Sequence, residues 1–139
     1  MGDDSGKLEW DDAYRTGIAV LDDQHLAIIL LYNDVLRAIR SGASQCMVAE
    51  TVDSLIFFVR QHFEWEGRFL AAAGCDRAAE HRAEHHHFDL VARVFYGCLG
   101  AADDGGSFAA FARGWIVGHI IRDVGFSPAA QPNLQDSFA

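Results

Sequence analysis

Five of the seven histidines share helical faces with apolar residues, where their side chains would point into a protein core. These five are His25, His62, His81, His85 and His119. Three pairs of metal-ligating residue types lie four positions apart, a spacing that returns to the same side of an α-helix. The pairs are His62 with Glu66, His81 with His85, and His119 with Asp123. Each pair could therefore chelate a metal ion from one helix.

Seven inward polar groups need partners, because each buried unsatisfied polar group costs about 1–3 kcal/mol and a buried charge costs more. A single inward histidine is ordinarily a core residue hydrogen-bonded to a carbonyl, but five histidines with two carboxylates predict metal coordination. Seven ligands are too many for one tetrahedral zinc ion and suit two octahedral first-row ions that share bridging groups. Imidazole-rich ligation favours a pair of iron ions among the biologically common metals.

Four amphipathic helices would position these residues. Apolar side chains recur every three or four residues in four segments, and short turn-rich gaps separate them. We predict helices at about 22–41, 45–72, 77–102 and 108–124. Candidate N-caps are Ser44, Asp76 and Ser107. Short connections make successive helices antiparallel, so we expect an all-α, up-down-up-down four-helix bundle. Residues 1–124 would form it, with an irregular arm at about 1–20 and a loose tail at 125–139.

Composition indicates a single acidic domain. The 139 residues are half hydrophobic, and 11 Lys and Arg against 20 Asp and Glu give a net charge of −9. Such a surface repels phosphate backbones and anionic lipid, so we expect no nucleic-acid or membrane partner. The acidic start of the chain does not resemble a secretory signal, and we expect a cytoplasmic monomer whose protein partner is unknown. Without CxxC spacing, we expect reduced thiols of unassigned role at Cys46, Cys75 and Cys98.

A series of landmarks resembles the hemerythrin family, in particular its single-domain bacterial members. The landmarks run in family order from residue 10 to about residue 123. They are Trp10, Gly17-Ile18, Leu21-Asp22-Asp23-Gln24-His25, His62-Phe63-x-x-Glu66, His81-x-x-x-His85 with Phe88, and Trp115-x-x-x-His119-Ile120 followed by Asp123. The resemblance covers most of the chain and places all five inward histidines.

The resemblance implies that His81, His85 and His119 hold one iron, and that His25 and His62 hold the other. It further implies that two carboxylates and an oxo or hydroxo group bridge the irons. The two carboxylates are those of Glu66 and Asp123. The second iron would keep an open position for reversible dioxygen binding, as in an oxygen carrier, storage or delivery protein rather than an enzyme.

An apolar pocket beside the ligands would exclude water and protons and so slow autoxidation. Its candidates are Phe63, Trp115, Ile116 and Ile120. Ordinary core packing explains these four residues equally well, since a pocket wall is also core.

One landmark departs from the family pattern, which places the aspartate five residues after the histidine of the fourth helix. That position is Val124 here, and Asp123 stands four residues after His119. A spacing of four returns closer to the histidine's own helical face than a spacing of five. A one-residue deletion is the simplest account, and we expect Asp123 to serve as the second bridge.

Other interpretations follow from the same residues. His81-x-x-Glu84-His85 matches the inverted zinc-peptidase motif, but no glutamate follows Glu84 to complete such a site. His86 and His87 are rotated away from the ligand face, and we do not expect them to bind iron. The alternative functions are an oxygen or redox sensor, a peroxidase-like or nitric-oxide-reducing di-iron enzyme, and a metal-free structural bundle.

Overall fold

Four antiparallel helices make up the computed structural model, which describes residues 6–74, 77–99 and 104–126. The helices are α1 at Ala19–Arg40, α2 at Gln45–Ala72, α3 at Ala78–Cys98 and α4 at Gly106–Asp123. Short 3-10 helices lie at Asp12–Tyr14 and Val124–Phe126. Helix α1 packs against α2 and α4, and α3 packs against the same two helices, which confirms the predicted four-helix architecture. Within the described residues, no helix has the length and hydropathy of a membrane span.

The helix boundaries differ from the prediction at three of the four helices. Helix α1 begins three residues early, after a turn in which the Asp22 carboxylate accepts hydrogen bonds from the Thr16 N–H (2.9 Å), the Thr16 hydroxyl (2.7 Å) and the Gly17 N–H (3.2 Å). Asp22 therefore lies inside the first turn of α1 and stabilises the turn before the helix, whereas the prediction has the helix begin at this residue. Ser44 caps α2 as predicted, because its hydroxyl accepts a hydrogen bond from the Met47 N–H.

The other two boundary differences concern α3 and α4. Helix α3 was predicted to reach residue 102 but ends at Cys98, with Leu99 in an extended conformation. The candidate cap Ser107 lies inside α4, whose N-cap is Gly105 at φ 102°. A Cβ at residue 105 would lie 3.1 Å from Ile39 Cδ1, so the close approach of α1 and the left-handed φ both require glycine. The third candidate cap, Asp76, lies outside the described residues.

Two apolar clusters occupy the bundle at different levels. The smaller contains Ile18, Leu21, Phe69 and Leu70, and the larger continues along all four helices from Ile28, Val59, Phe88 and Ile116. His25 on α1 and Glu66 on α2 fall in sequence between residues of the two clusters, and both are buried. The bundle thus contains a polar layer between two apolar ones.

The N-terminal arm is attached to the bundle through a buried asparagine. The Leu8 N–H donates to Asn33 Oδ1 at 2.9 Å, and Asn33 Nδ2 donates to the Leu8 carbonyl at 2.8 Å. The Tyr32 hydroxyl also donates to the Gly6 carbonyl at 3.2 Å. These contacts attach the arm to the bundle from Gly6 onward, although the only regular structure among its described residues before α1 is the short 3-10 helix at Asp12–Tyr14.

Replacing this asparagine should detach the arm. We expect Asn33→Ala to lower the free energy of unfolding by about 1–3 kcal/mol, because it leaves the Leu8 N–H and carbonyl unsatisfied. Urea unfolding followed by circular dichroism would measure the change. The matched control is Asp34→Ala, which removes a surface ion pair with Arg37 (2.9 Å) and should change stability by about 1 kcal/mol or less. Equal stabilities for the two variants would contradict the role of Asn33 in attaching the arm.

The remaining sequence predictions concern the thiols and the tail. Cys46 and Cys98 are free and exposed, in line with the expectation of unpaired thiols, and Cys75 lies outside the described residues. Helical backbone extends past the predicted boundary at residue 124 into the 3-10 turn that ends at Phe126. The rest of the predicted tail, residues 127–139, is outside the described part.

Candidate metal centre

All seven predicted ligands lie in the polar layer, and every helix contributes to it. Six of them are at most 2% exposed, and His85 is partly buried. Their ligand atoms form two groups in which every atom lies within 4.8 Å of the others. One group contains His25, His62, Glu66, His119 and Asp123, and the other contains Glu66, His81 and His85. The structure therefore brings together the residues that the sequence singled out, and Glu66 belongs to both groups.

Glu66 lies at the centre of this arrangement. Its Oε2 is 2.7 Å from His62 Nε2 and 3.4 Å from His119 Nε2. Its Oε1 is 2.8 Å from His81 Nδ1 on α3. The carboxylate thus contacts imidazoles from three helices, which is the geometry that a bridging ligand requires.

Asp123 also points into the layer, although its spacing from His119 differs from the family pattern. Its Oδ2 is 2.9 Å from His25 Nε2 and 3.0 Å from His119 Nε2, and its Oδ1 is 3.7 Å from His81 Nε2. The side chain is completely buried. A carboxylate four residues after the histidine therefore reaches the same centre, and its placement supports the expectation that Asp123 is the second bridge.

The ring of His119 lies closer to that of His62 than to those of His81 and His85, although the resemblance groups it with the latter two. The Nε2 atoms of His119 and His62 are 2.9 Å apart, and their ring centroids are 5.1 Å apart. The ring centroids of His81 and His85 are each 6.3 Å from that of His119. Parallel stacking on Trp115 at 4.8 Å and the contact with Asp123 hold His119 in this orientation. The division into three and two histidines remains a prediction.

The layer satisfies the chemical requirements of a metal site. Both Glu66 oxygens, Asp123 Oδ1 and His85 Nε2 are buried without a hydrogen bond of good geometry, despite their close neighbours. Native proteins rarely leave so many buried polar atoms unsatisfied in one place. Imidazole nitrogens and carboxylate oxygens are the donors that divalent first-row metals prefer. The side chains therefore fit a pair of such ions.

The electrostatics of the layer keep some imidazoles neutral and one charged. Burial lowers the pKa of His85 to about 3, and burial also lowers the pKa of His62 against the opposing effect of Glu66. Burial alone would lower the pKa of His119 as well, but Asp123 and Glu66 outweigh it and raise that pKa to about 10. Burial would raise the Glu66 pKa, yet contacts with His119 and its neighbours hold it well below its usual value. A metal ion must therefore displace the proton of His119, whereas His62 and His85 are already neutral donors.

The predicted pocket residues lie around the ligands. Phe63 stacks on His85 with ring centroids 3.6 Å apart, and Trp115 stacks on His119. Ile116 and Ile120 are each 1% exposed and belong to the larger apolar cluster. Phe88, one of the landmarks shared with the family, packs against Trp115 at 4.4 Å and completes this aromatic wall.

Two polar residues near the ligands were not predicted as part of the site. Gln24 Oε1 is 2.6 Å from His62 Nδ1, and the Glu84 carboxylate pairs with the Arg122 guanidinium across α3 and α4. The only sequence signal for Gln24 was its place in the segment that ends at His25. The pairing of Glu84 with a cation also argues against its role as a peptidase base. His86 and His87 are exposed, as predicted.

Replacing the second carboxylate should weaken metal binding. We expect Asp123→Asn to reduce the iron bound per chain, because an amide cannot supply the negative charge that a bridging ligand shares between two cations. Metal analysis after ferrous loading and desalting would measure it. Asp23→Asn, an exposed change on α1, should bind as much iron as the unmodified protein. Unchanged iron content in Asp123→Asn would contradict a bridging role for this carboxylate.

Comparisons with known proteins agree with this site. A family model described as the hemerythrin HHE cation binding domain matches residues 16–122. The chain is 26% identical to bacteriohemerythrin of Pseudomonas aeruginosa over 131 residues, which is 93% of this chain and 85% of that protein. It is 27% identical to bacteriohemerythrin of Stenotrophomonas maltophilia, over 84% of this chain and 76% of that protein. It is 30% identical to myohemerythrin of Riftia pachyptila, over 80% of this chain and 82% of that protein. The family match covers more than half of the chain and includes every predicted ligand but Asp123, and the chain belongs to the hemerythrin family.

Proposed function

We propose that this chain binds dioxygen reversibly at two non-haem iron ions and acts as an oxygen carrier, storage or delivery protein. The observation that carries the proposal is the layer of five imidazoles and two carboxylates, six of them buried, that Glu66 joins into one centre. The residues that would hold the metal pair are His25, His62, Glu66, His81, His85, His119 and Asp123. Membership of the hemerythrin family supports the choice of iron and of dioxygen.

The two ferrous ions would supply the electrons for a reversible reduction of dioxygen when bound. The protein contributes charge balance, since the fully buried Glu66 and Asp123 bring two negative charges to the layer. Their low pKa values keep both carboxylates ionised at neutral pH. The neutral rings of His62 and His85 present nitrogen lone pairs without the loss of a proton.

The aromatic wall would make binding reversible by keeping water and protons away from the centre. Phe63 and Trp115 each lie flat against a ligand imidazole, and Phe88 packs behind both rings. Ile116 and Ile120 fill the adjacent positions on α4. A low-dielectric surrounding disfavours separation of charge, which is the event that turns reversible binding into irreversible oxidation.

Anaerobic loading with ferrous iron tests the proposal directly. Bound iron would be quantified, and the visible spectrum would be recorded before air, after air and after oxygen is removed again. We expect two irons per chain and an absorption band that appears with air and disappears on deoxygenation. Prompt irreversible oxidation or rapid consumption of peroxide would favour a sensor or an enzyme instead. A content of one iron or none would refute the paired site.

Replacing Trp115 tests whether the aromatic wall protects the oxygenated protein. We expect Trp115→Leu to shorten the lifetime of the oxygenated protein several-fold, because the smaller side chain uncovers one face of His119 to water. The decay of the oxygen-dependent band in air would measure this lifetime. Phe57→Leu changes an aromatic residue that is 65% exposed on α2 and should leave the lifetime unchanged. Equal lifetimes in the two variants would show that Trp115 is ordinary core.

A further inference from the structure

Gln24 contacts a ligand histidine through its side-chain amide, although it is not one of the seven predicted ligands. Gln24 is half-buried on α1, directly before His25, and its Oε1 lies 2.6 Å from His62 Nδ1 on α2. The other nitrogen of the same ring, His62 Nε2, faces the centre at 2.7 Å from Glu66 Oε2 and 2.9 Å from His119 Nε2. The two nitrogens of His62 therefore face different chemical surroundings.

The contact selects one tautomer of His62. An amide oxygen can only accept a hydrogen bond, so its partner nitrogen Nδ1 must carry the proton. A neutral imidazole protonated on Nδ1 has its lone pair on Nε2, which accepts a hydrogen bond from His119 Nε2 at 2.9 Å. The nearby Glu66 Oε2 is not a hydrogen-bond partner of Nε2, because its contact lacks hydrogen-bond geometry. We propose that Gln24 is a positioning residue that holds His62 in this tautomer and directs the Nε2 lone pair into the metal centre.

The chemical nature of this partner adds a second effect. A carboxylate hydrogen-bonded to a ligand histidine raises the basicity of that ligand and stabilises the higher charge of an oxidised metal. The amide of Gln24 orients the ring without adding a negative charge to a layer that already contains Glu66 and Asp123. Gln24 thus favours the ferrous state of the iron that His62 would bind. This second effect rests on the proposed function.

The tautomer can be tested in protein without metal, so this test does not depend on iron binding. A long-range proton–nitrogen correlation spectrum distinguishes the two tautomers of each histidine. We expect the Nδ1-protonated form of His62 in the unmodified protein and in Gln24→Glu, which keeps an acceptor. Gln24→Leu removes the acceptor and should give a mixture. An Nε2-protonated His62 in the unmodified protein, or an unchanged spectrum in Gln24→Leu, would overturn the assignment.

Metal affinity gives the second readout. We expect Gln24→Leu to bind ferrous iron about 10–100-fold more weakly in competition with a chelator, as is typical when the partner of a ligand histidine is lost. Gln24→Glu should restore the affinity and shorten the lifetime of the ferrous form in air, and Asp23→Asn on the exposed neighbour should match the unmodified protein. A fully folded Gln24→Leu with unchanged affinity would refute the positioning role. Absence of iron binding in the unmodified protein would refute the proposed function instead.

Discussion

Glu66→Gln is expected to reduce the bound iron from two ions per chain to one or none and to abolish the oxygen-dependent absorption band. Glu66 is the residue that both groups of ligand atoms share, with Oε2 toward His62 and His119 and Oε1 toward His81. A glutamine of the same shape has one acceptor oxygen and no charge, so it cannot bridge two cations. Metal analysis and the visible spectrum of the loaded variant would measure both effects.

The matched control for this prediction lies on the same helix. Glu64→Gln makes the same chemical change at an exposed position of α2 and should retain both irons and the band. Thermal unfolding of both variants would show whether each is folded, because a loss of iron is informative only in a folded bundle. Two tightly bound irons in Glu66→Gln would show that Glu66 does not bridge the ions.

The ligand layer was predictable because it depends on local helix geometry. A side chain four residues along a helix is displaced by about 40° from the first, whereas one five residues along is displaced by about 140°. This difference explains why Asp123 faces the centre and why the shortened spacing from His119 is tolerated. The same periodicity placed His62 with Glu66 and His81 with His85, so the six paired ligands could be identified without knowledge of the helix packing.

Features that depend on contacts between helices were not predictable in the same way. The hydrogen bond between Gln24 and His62 joins α1 to α2, and it depends on how far apart the two helices lie. The choice of Gly105 as the cap of α4 reflects the close approach of Ile39 from α1. The orientation of His119 toward His62 likewise results from stacking on Trp115 and contact with Asp123. Propensity and spacing along one helix contain none of this information.

Removal of iron should lower the melting temperature at neutral pH by roughly 10–20 °C. A ligand present at a thousand times its dissociation constant stabilises the folded state by about 4 kcal/mol, and a domain of this size gains a few degrees for each kcal/mol. Without the metal, polar ligand atoms would remain buried and unsatisfied, among them both oxygens of Glu66, which lack good hydrogen bonds. Melting curves of chelator-treated and reloaded protein would measure the difference, and equal temperatures would contradict a tightly held metal pair.

The iron-free protein should also be most stable near pH 6.5. Iron binding should remove the loss of stability above that pH. Folded His119 binds its proton more tightly than the unfolded chain, so its contribution is complete below pH 6.5 and is lost as the pH rises toward 10. Folded His85, with a pKa of about 3, takes up a proton later than the unfolded chain, so stability also falls as the pH drops below 6.5. In the loaded protein a metal-bound His119 would have lost its proton, and melting temperatures between pH 7 and 10 should change little. Melting curves of iron-free and loaded protein across this range would test the prediction. His86→Gln changes an exposed histidine and is the control. An iron-free protein that is equally stable at pH 7 and pH 10 would contradict the charged state of His119.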